Sequence, residues 1–290
     1  MNVICPQYIK DIMPARSAYA NKYSVGSVLC VAGSYSMAGA AILCAKAALR
    51  LGAGYVRCVV TPEIYPIVSA AVPEAVFMAL PKGKDGTVSA QYTKEIVKAA
   101  DKSSAVLVGC GSKLCEDTIS IVQSLVYETK TPLLIDADGI NAISKHIDIL
   151  KEAKAPVVVT PHEGEMSRLT GKTSQYINLN REEVAKNFSE EYGVVTVLKG
   201  KDTLVAQGRI ECEQNPTGNP GMAVAGMGDV LAGMIVSLMA QGFPVYDAAK
   251  AGVYLHGLAA DLATADLTEY SLLPTDVIDY IPKAIKEVLL

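Results

Sequence analysis

Short runs of consecutive apolar, largely β-branched residues alternate with longer alanine-rich or amphipathic stretches along most of the 290-residue chain. SVLCVAG (27–33), YVRCVVT (55–61), EAVFMAL (74–80), AVLVG (105–109), PLLID (132–136), PVVVTP (156–161) and VVTVLKG (194–200) have the length and content of strands. AAILCAKAALRLG (40–52) and TKEIVKAA (93–100) have the pattern of helices, and helix-like stretches fill most other gaps. Strands that are apolar throughout, rather than at alternate positions, predict a parallel sheet buried on both faces. TLVAQ and RIECE (203–213), joined at a Gly-Arg turn region, predict a hairpin or antiparallel addition at one edge. Three further helices are predicted over 229–241, 246–265 and 274–289. No repeat, low-complexity tract or linker interrupts the pattern. Residues 1–290 are therefore expected to form one α/β domain, a central, mostly parallel sheet flanked by helices on both faces.

Composition narrows the class of function. Half of the residues are hydrophobic and 19% are charged, which supports a large core and argues against disorder. The net charge is −4, the pI is about 5.5, and there is no lysine or arginine block, so neither nucleic acid nor an acidic membrane is expected as a partner. Seven cysteines, with no CxxC pair or Cys/His cluster, are expected to be small buried hydrophobes in a reducing compartment. The N-terminal sequence has no signal-peptide pattern. The longest membrane-like run, VLAGMIVSLMA (230–240), falls short of the roughly 20 residues that span a bilayer. A cytoplasmic protein is the expectation.

In an open parallel sheet, ligands bind beyond the carboxyl ends of the strands. Here those ends carry GSYSMAGA (33–40), GCGSK (109–113), DADGIN (136–141), TPHEGE (160–165) and KGKDT (199–203). Four of them have a bland alternative. GSYSMAGA opens a helix whose amides suit an anion, or is simply a tight turn. In DADGIN, Asp136 and Asp138 stand two apart and suit magnesium held through water; Asp138 fits better as a helix cap, and Asp136 stays open. His162 suits a hydrogen bond to a substrate amide or a proton transfer, while Glu163 and Glu165 fit as first-turn acids that complement the helix dipole. HEGEM lacks the spacing of a zinc-binding HExxH. Lys199 and the amides around Gly200 suit phosphate, although a solvated lysine turn is commoner.

NPTGNPGMAVAGMGDVLAGM (215–234) combines more of these requirements. Gly226 and Gly228 let backbone approach a ligand closely, and the following helix aims unpaired N–H groups and partial positive charge at that loop. Such a corner suits a transferring phosphoryl group, with Asp229 able to take a proton from an attacking hydroxyl. The alternative is that Asp229 caps the helix beside a close helix crossing.

The ordered set GSVLCVAGSYSMAGAA, ALRLGAGYV, LLIDADGIN, VVTPHEGEM, VLKGKDT, NPTGNPGMAVAGMGDVLAGM and YLHGLAADLA resembles the ADP/ATP-dependent NAD(P)H-hydrate dehydratase family, within the ribokinase-like superfamily. The resemblance covers nearly the whole chain and implies a ribokinase-like fold. It also implies repair of hydrated NADH or NADPH, by phosphorylation of the ring hydroxyl and loss of phosphate. Carried over by motif, Ala40, Gly111, His162 and Asp229 would contact the hydrated dinucleotide. Lys199, Gly200, Lys201, Asp202, Thr203 and Gly228 would line the adenine nucleotide. Asp229 would be the base, the amides of Gly226, Met227 and Gly228 an anion hole, and Mg2+ would bridge the phosphates of ADP or ATP. Stand-alone members favour ADP, so ADP is the expected co-substrate, and a homo-oligomer, commonly a tetramer, is implied. The chain departs from the family twice. AGMGD stands where GGTGD or GGSGD is usual, and GCGSK stands where a GPGLG-like turn is common. Two other classes stay open, a small-molecule kinase of the same superfamily and a nucleotide-binding protein without catalysis.

Overall fold

A computed structural model describes residues 2–13, 16–209 and 211–290, so Ile210 of the expected edge hairpin lies outside it. The strands are β1 (Asn2–Val3), β2 (Ser27–Val31), β3 (Tyr55–Val60), β4 (Val76–Ala79), β5 (Ala105–Val108), β6 (Leu133–Ile135), β7 (Val157–Val159), β8 (Val195–Leu198), β9 (Leu204–Gln207) and β10 (Glu211–Gln214). The α-helices of the first half are α1 (Pro6–Ile12), α2 (Ala38–Arg50), α3 (Tyr65–Ala71), α4 (Thr93–Ala100), α5 (Glu116–Glu128) and α6 (Asp138–Ile143). Those of the second half are α7 (Glu163–Thr170), α8 (Ser174–Leu179), α9 (Arg181–Tyr192), α10 (Met227–Ala240), α11 (Val245–Asp266) and α12 (Pro274–Leu289).

The strands form one ten-stranded sheet in the order β1-β10-β9-β8-β7-β6-β5-β2-β3-β4. Every pairing from β4 across to β8 is parallel, and β9 runs antiparallel to both β8 and β10. The continuous apolar runs and the edge hairpin thus fold as expected. The pairing of Asn2 and Val3 beside β10 is an addition that two residues of sequence do not signal.

Alternate residues of a strand point to opposite faces, and here both faces are dry. Val28 and Cys30 of β2 join one core cluster with α2, α10, α11 and α12, while Leu29 and Val31 join a second with α4, α5, α7 and α9. Helix α10 is buried along most of its length and crosses α2 closely. Gly233 permits that approach, since a Cβ there would lie 2.4 Å from the Cys44 carbonyl oxygen.

From β2 the chain moves outward through β3 and β4, then returns to place β5 on the other side of β2 and continues to β8. The carboxyl ends of β2 and β5 therefore flank the point where winding reverses, the place where open α/β sheets leave a ligand crevice.

Candidate active site

Four neighbouring strands each deliver a side chain to one buried cluster at that edge. Asp136 follows β6 and is 1% exposed. Its Oδ1 accepts from Thr160 Oγ1 at 2.6 Å, after β7, and from Lys199 Nζ at 2.8 Å, after β8. Its Oδ2 accepts from Cys110 Sγ at 3.4 Å, after β5. Lys199 Nζ also lies 3.8 Å from Glu165 Oε2, on the first turn of α7. Burial alone would lower the Lys199 pKa, but the Asp136 and Glu165 carboxylates outweigh it and hold the ammonium above its usual value. Burial raises Glu165, with the charge of Lys199 opposing.

The entrance of α10 faces this cluster. Gly226 is its N-cap, at φ 97°, and no side chain caps the helix. The Met227 amide donates to the Val224 carbonyl at 3.3 Å, and the first intrahelical bond runs from the Val230 amide to Gly226 at 3.1 Å. The amides of Gly228 and Asp229 lie between these two donors, in the helical turn whose N–H groups have no intrahelical acceptor. Gly228 leaves open the space between its helix and the cluster. A Cβ placed there would be 3.4 Å from Lys199 Nζ and 3.9 Å from Asp136 Oδ2.

Asp229 is not a cap. Burial, and then the charge of Asp136, raise its pKa from 3.8 to about 6, against the opposing effects of a Cys110 hydrogen bond and Lys199. At neutral pH it is mostly ionised and basic enough to accept a proton. Met227 turns its side chain into the core, where it is 5% exposed. Only its backbone belongs to the loop.

Ala40 and Gly111 meet at the opposite wall, since a Cβ on Gly111 would fall 2.6 Å from that of Ala40. The loops carrying them are joined by the Gly33 amide, which donates to the Cys110 carbonyl at 2.8 Å. His162 caps α7: its Nδ1 accepts from the Gly164 and Glu165 amides at 2.9 and 3.3 Å. Glu165 Oε2 accepts from the His162 amide in return, at 2.8 Å. Burial, then Lys199 and Arg168, lower the His162 pKa. The imidazole is thus neutral, its Nδ1 is used as an acceptor, and Nε2 carries the proton, 3.4 Å from Glu165 Oε1.

Of KGKDT, only Lys199 enters the cluster. Lys201 and Asp202 are exposed, Thr203 Oγ1 donates to the Gly200 carbonyl at 3.0 Å, and Arg181 holds the Leu198 carbonyl at 2.9 Å.

The expectation for Asp138 is corrected. The N-cap of α6 is Ala137, and Asp138 instead accepts from the Lys113 amide at 2.9 Å and from Asn141 at 3.2 Å. Between the inward-turned Asp136 and Asp138, Ala137 takes the positive-φ conformation φ 50°, ψ −118°.

Thr160 and Cys110 are members of the cluster for which no role was expected, and Glu165, on the first turn as expected, also turns towards Lys199. For Cys110 and Thr160 the signal was positional: like Asp136, both fall just past the apolar run of adjacent parallel strands. His256 on α11 is a further buried group, whose Nε2 has no partner among the described residues; burial, then Lys199, push it down to about 4, so it is neutral.

The family model for NAD(P)H-hydrate dehydratase matches residues 28–283, a span that holds β3 to β10, all but the first residue of β2, and all of the cluster. The chain belongs to the NAD(P)H-hydrate dehydratase family. It is 37% identical over 274 residues to a bifunctional NAD(P)H-hydrate repair enzyme of Thermofilum pendens, covering 94% of this chain and 52% of that protein. The chain thus spans about half the length of the first curated relatives it matches. It is 35% identical over 255 residues to an ADP-dependent (S)-NAD(P)H-hydrate dehydratase of Neisseria meningitidis, covering 87% of this chain and 81% of that one. Among solved structures, an ADP/ATP-dependent NAD(P)H-hydrate dehydratase from Bacillus subtilis, co-crystallised with ATP/Mg2+, superposes with a TM-score of 0.85 at 29% identity. That match covers 99% of this chain and 98% of the other. The fold of this family member is ribokinase-like.

Proposed function

We propose that the protein dehydrates the S-form of hydrated NADH or NADPH back to NAD(P)H at the expense of ADP, or ATP in its place. The observation that carries this reading is the Asp229 carboxylate, raised to about 6, on the same helix turn as Gly228 and facing the Lys199–Asp136 pair. A base, free amides and a fixed cation are what phosphorylation of a hydroxyl requires.

In this scheme Asp229 takes the proton of the ring hydroxyl as its oxygen attacks the terminal phosphorus of the nucleotide. The O–P bond of the nucleotide breaks and ADP leaves from ATP, or AMP from ADP. Lys199 and the amides of Gly228 and Asp229 face the charge that develops on the phosphoryl oxygens. The ring nitrogen lone pair then expels phosphate from the ring carbon, and loss of a proton from the adjacent carbon restores the dihydronicotinamide. A kinase-type step thereby ends in a lyase outcome. Ala40, Gly111 and His162 line the dinucleotide side, with the Nε2 proton of His162 available to an acceptor. Lys199, Gly200, Lys201, Asp202, Thr203 and Gly228 form the nucleotide side. Within the expected anion hole of Gly226, Met227 and Gly228, the Met227 amide is already engaged, which moves the weight to Gly228 and its neighbour Asp229.

Asp136 has both oxygens engaged, so a hard cation would be held mainly by nucleotide phosphates and water, the usual mode for magnesium. Mg2+ held in this way would supply neutralisation of charge on the phosphate oxygens. The seven unpaired thiols support a cytoplasmic location, and a homotetramer is proposed on the family resemblance alone.

Hydrated NADH incubated with ADP or ATP should regain dihydronicotinamide absorbance and release phosphate. A hydrate left untouched, while some alcohol becomes stably phosphorylated, would mark a small-molecule kinase instead.

A further inference from the structure

Cys44 lies on α2, Cys110 after β5 and Asp229 on the first turn of α10, yet one donor atom from each lies within 4.8 Å of the other two. Both thiols are buried, at 1% and 0% exposure, and Asp229 is the partly exposed member. The cluster therefore reaches solvent on the side of the active site. Cys30 pairs in register with Cys58 across β2 and β3 and is buried in the same core cluster as Cys44, so further thiols lie behind the site.

Two sulfurs and one carboxylate are a poor donor set for magnesium, which takes oxygen ligands, and a good one for zinc and its soft congeners. Zinc bonds of about 2.3 Å to sulfur and about 2.0–2.2 Å to oxygen put tetrahedral ligand atoms some 3.5–4 Å apart. The three donor atoms lie within 4.8 Å of one another, so closing to that spacing takes at most about 1.3 Å. Three protein ligands would leave a fourth position for water on the side of Asp229.

We propose that Cys44, Cys110 and Asp229 form a binding site for a thiophilic divalent cation of the zinc class, whose occupation removes the Asp229 carboxylate from proton transfer. Binding displaces one proton from each thiol, since the thiolate is the ligand. The binding claim is independent of the role proposed for Asp229; the inhibitory consequence rests on it.

The test is titration of the full, phosphine-reduced chain with Cd2+, without nucleotide or magnesium, following cadmium–thiolate charge-transfer absorbance in the near ultraviolet. The expected result is a band that saturates at one Cd2+ per chain. Cys44→Ala and Cys110→Ser lose it, and Cys5→Ser, an exposed thiol outside the cluster, keeps it. Asp229→Asn weakens apparent affinity by about tenfold or more, since loss of even an outer-shell partner costs about 10–100-fold. Circular dichroism of each variant reports folding; if Cys44→Ala does not fold, the shift in Asp229→Asn decides. Absence of a saturable band in the native chain, its persistence in Cys110→Ser, or unchanged affinity in Asp229→Asn overturns the proposal. In a turnover assay, Zn2+ should inhibit the native chain and lose that effect in Cys44→Ala. Binding without inhibition would retain the site and count against Asp229 as base.

Discussion

Lys199 Nζ lies 2.8 Å from Asp136 Oδ1, across the end of the strand that separates β6 from β8. Thr160, at the end of that intervening strand, donates to the same oxygen at 2.6 Å. The pair is almost wholly enclosed, with Lys199 and Asp136 side chains 18% and 2% exposed. Removing one partner of a buried pair leaves an uncompensated charge and costs about 3–5 kcal/mol. Lys199→Met should therefore destabilise the fold by that order, measured by denaturant unfolding. Adding Asp136→Asn should recover much of the loss, because the stranded charge is gone. Additive losses in the double variant would mean that the two side chains act independently.

Asp229 should show the opposite balance between stability and activity. Its folded pKa, about 6, exceeds its ordinary 3.8, so the folded state holds the proton more tightly. The stabilising contribution is complete below 3.8 and is lost as pH rises through about 6. At pH 7 the ionised group costs on the order of 1–3 kcal/mol. Asp229→Asn should raise the unfolding midpoint at pH 7, leave it nearly unchanged near pH 4, and abolish turnover. In the native enzyme, turnover should fall as pH drops through about 6, where the base becomes protonated. A variant that turns over at the native rate would remove Asp229 from the mechanism.

Gly228 tests the space between α10 and Lys199. Alanine is a better helix former than glycine, and the new methyl would sit 3.4 Å from Lys199 Nζ. Gly228→Ala should keep the fold and lose roughly 10²-fold in turnover, the scale of a one-ångström misplacement at a reacting centre. Steady-state kinetics alongside a thermal melt separate the two effects. A large fall in the melting temperature with normal kinetics would place Gly228 in packing instead.

Met227 is the position where this chain departs from the hydroxyl residue usual in its family. Because its side chain packs in the core at 5% exposure, Met227→Thr should not simply restore the family pattern. It should destabilise by about 2–4 kcal/mol, through lost apolar burial and a cavity. Chemical unfolding of the variant measures this, and a neutral result would mean that the core around α10 closes over the change.

The parallel sheet was legible because strands buried on both faces cannot alternate polar and apolar residues, as in SVLCV and AVLV. The edge hairpin was legible from its turn. The Asn2–Val3 pairing was not, since so short a strand is made by its partner rather than by its own pattern. At the site, the glycines and Asp229 marked a helix entrance that the structure places against the Lys199–Asp136 pair. Glu165 was hidden because a first-turn acid looks the same in sequence whether it faces solvent or a buried lysine. Asp138 was misread for a related reason: its neighbour Ala137 takes the cap position, and the Lys113 amide, 25 residues away in sequence, takes the carboxylate. Long-range partners of this kind have no local signature.

The central claim is the reaction itself, and the most direct measurement is turnover of hydrated NADH and hydrated NADPH with ADP and ATP side by side. Recovery of dihydronicotinamide absorbance, with one phosphate released per cofactor restored and greater activity with ADP, is the result expected. Unchanged hydrate with either nucleotide, under conditions where the chain binds that nucleotide, would contradict it.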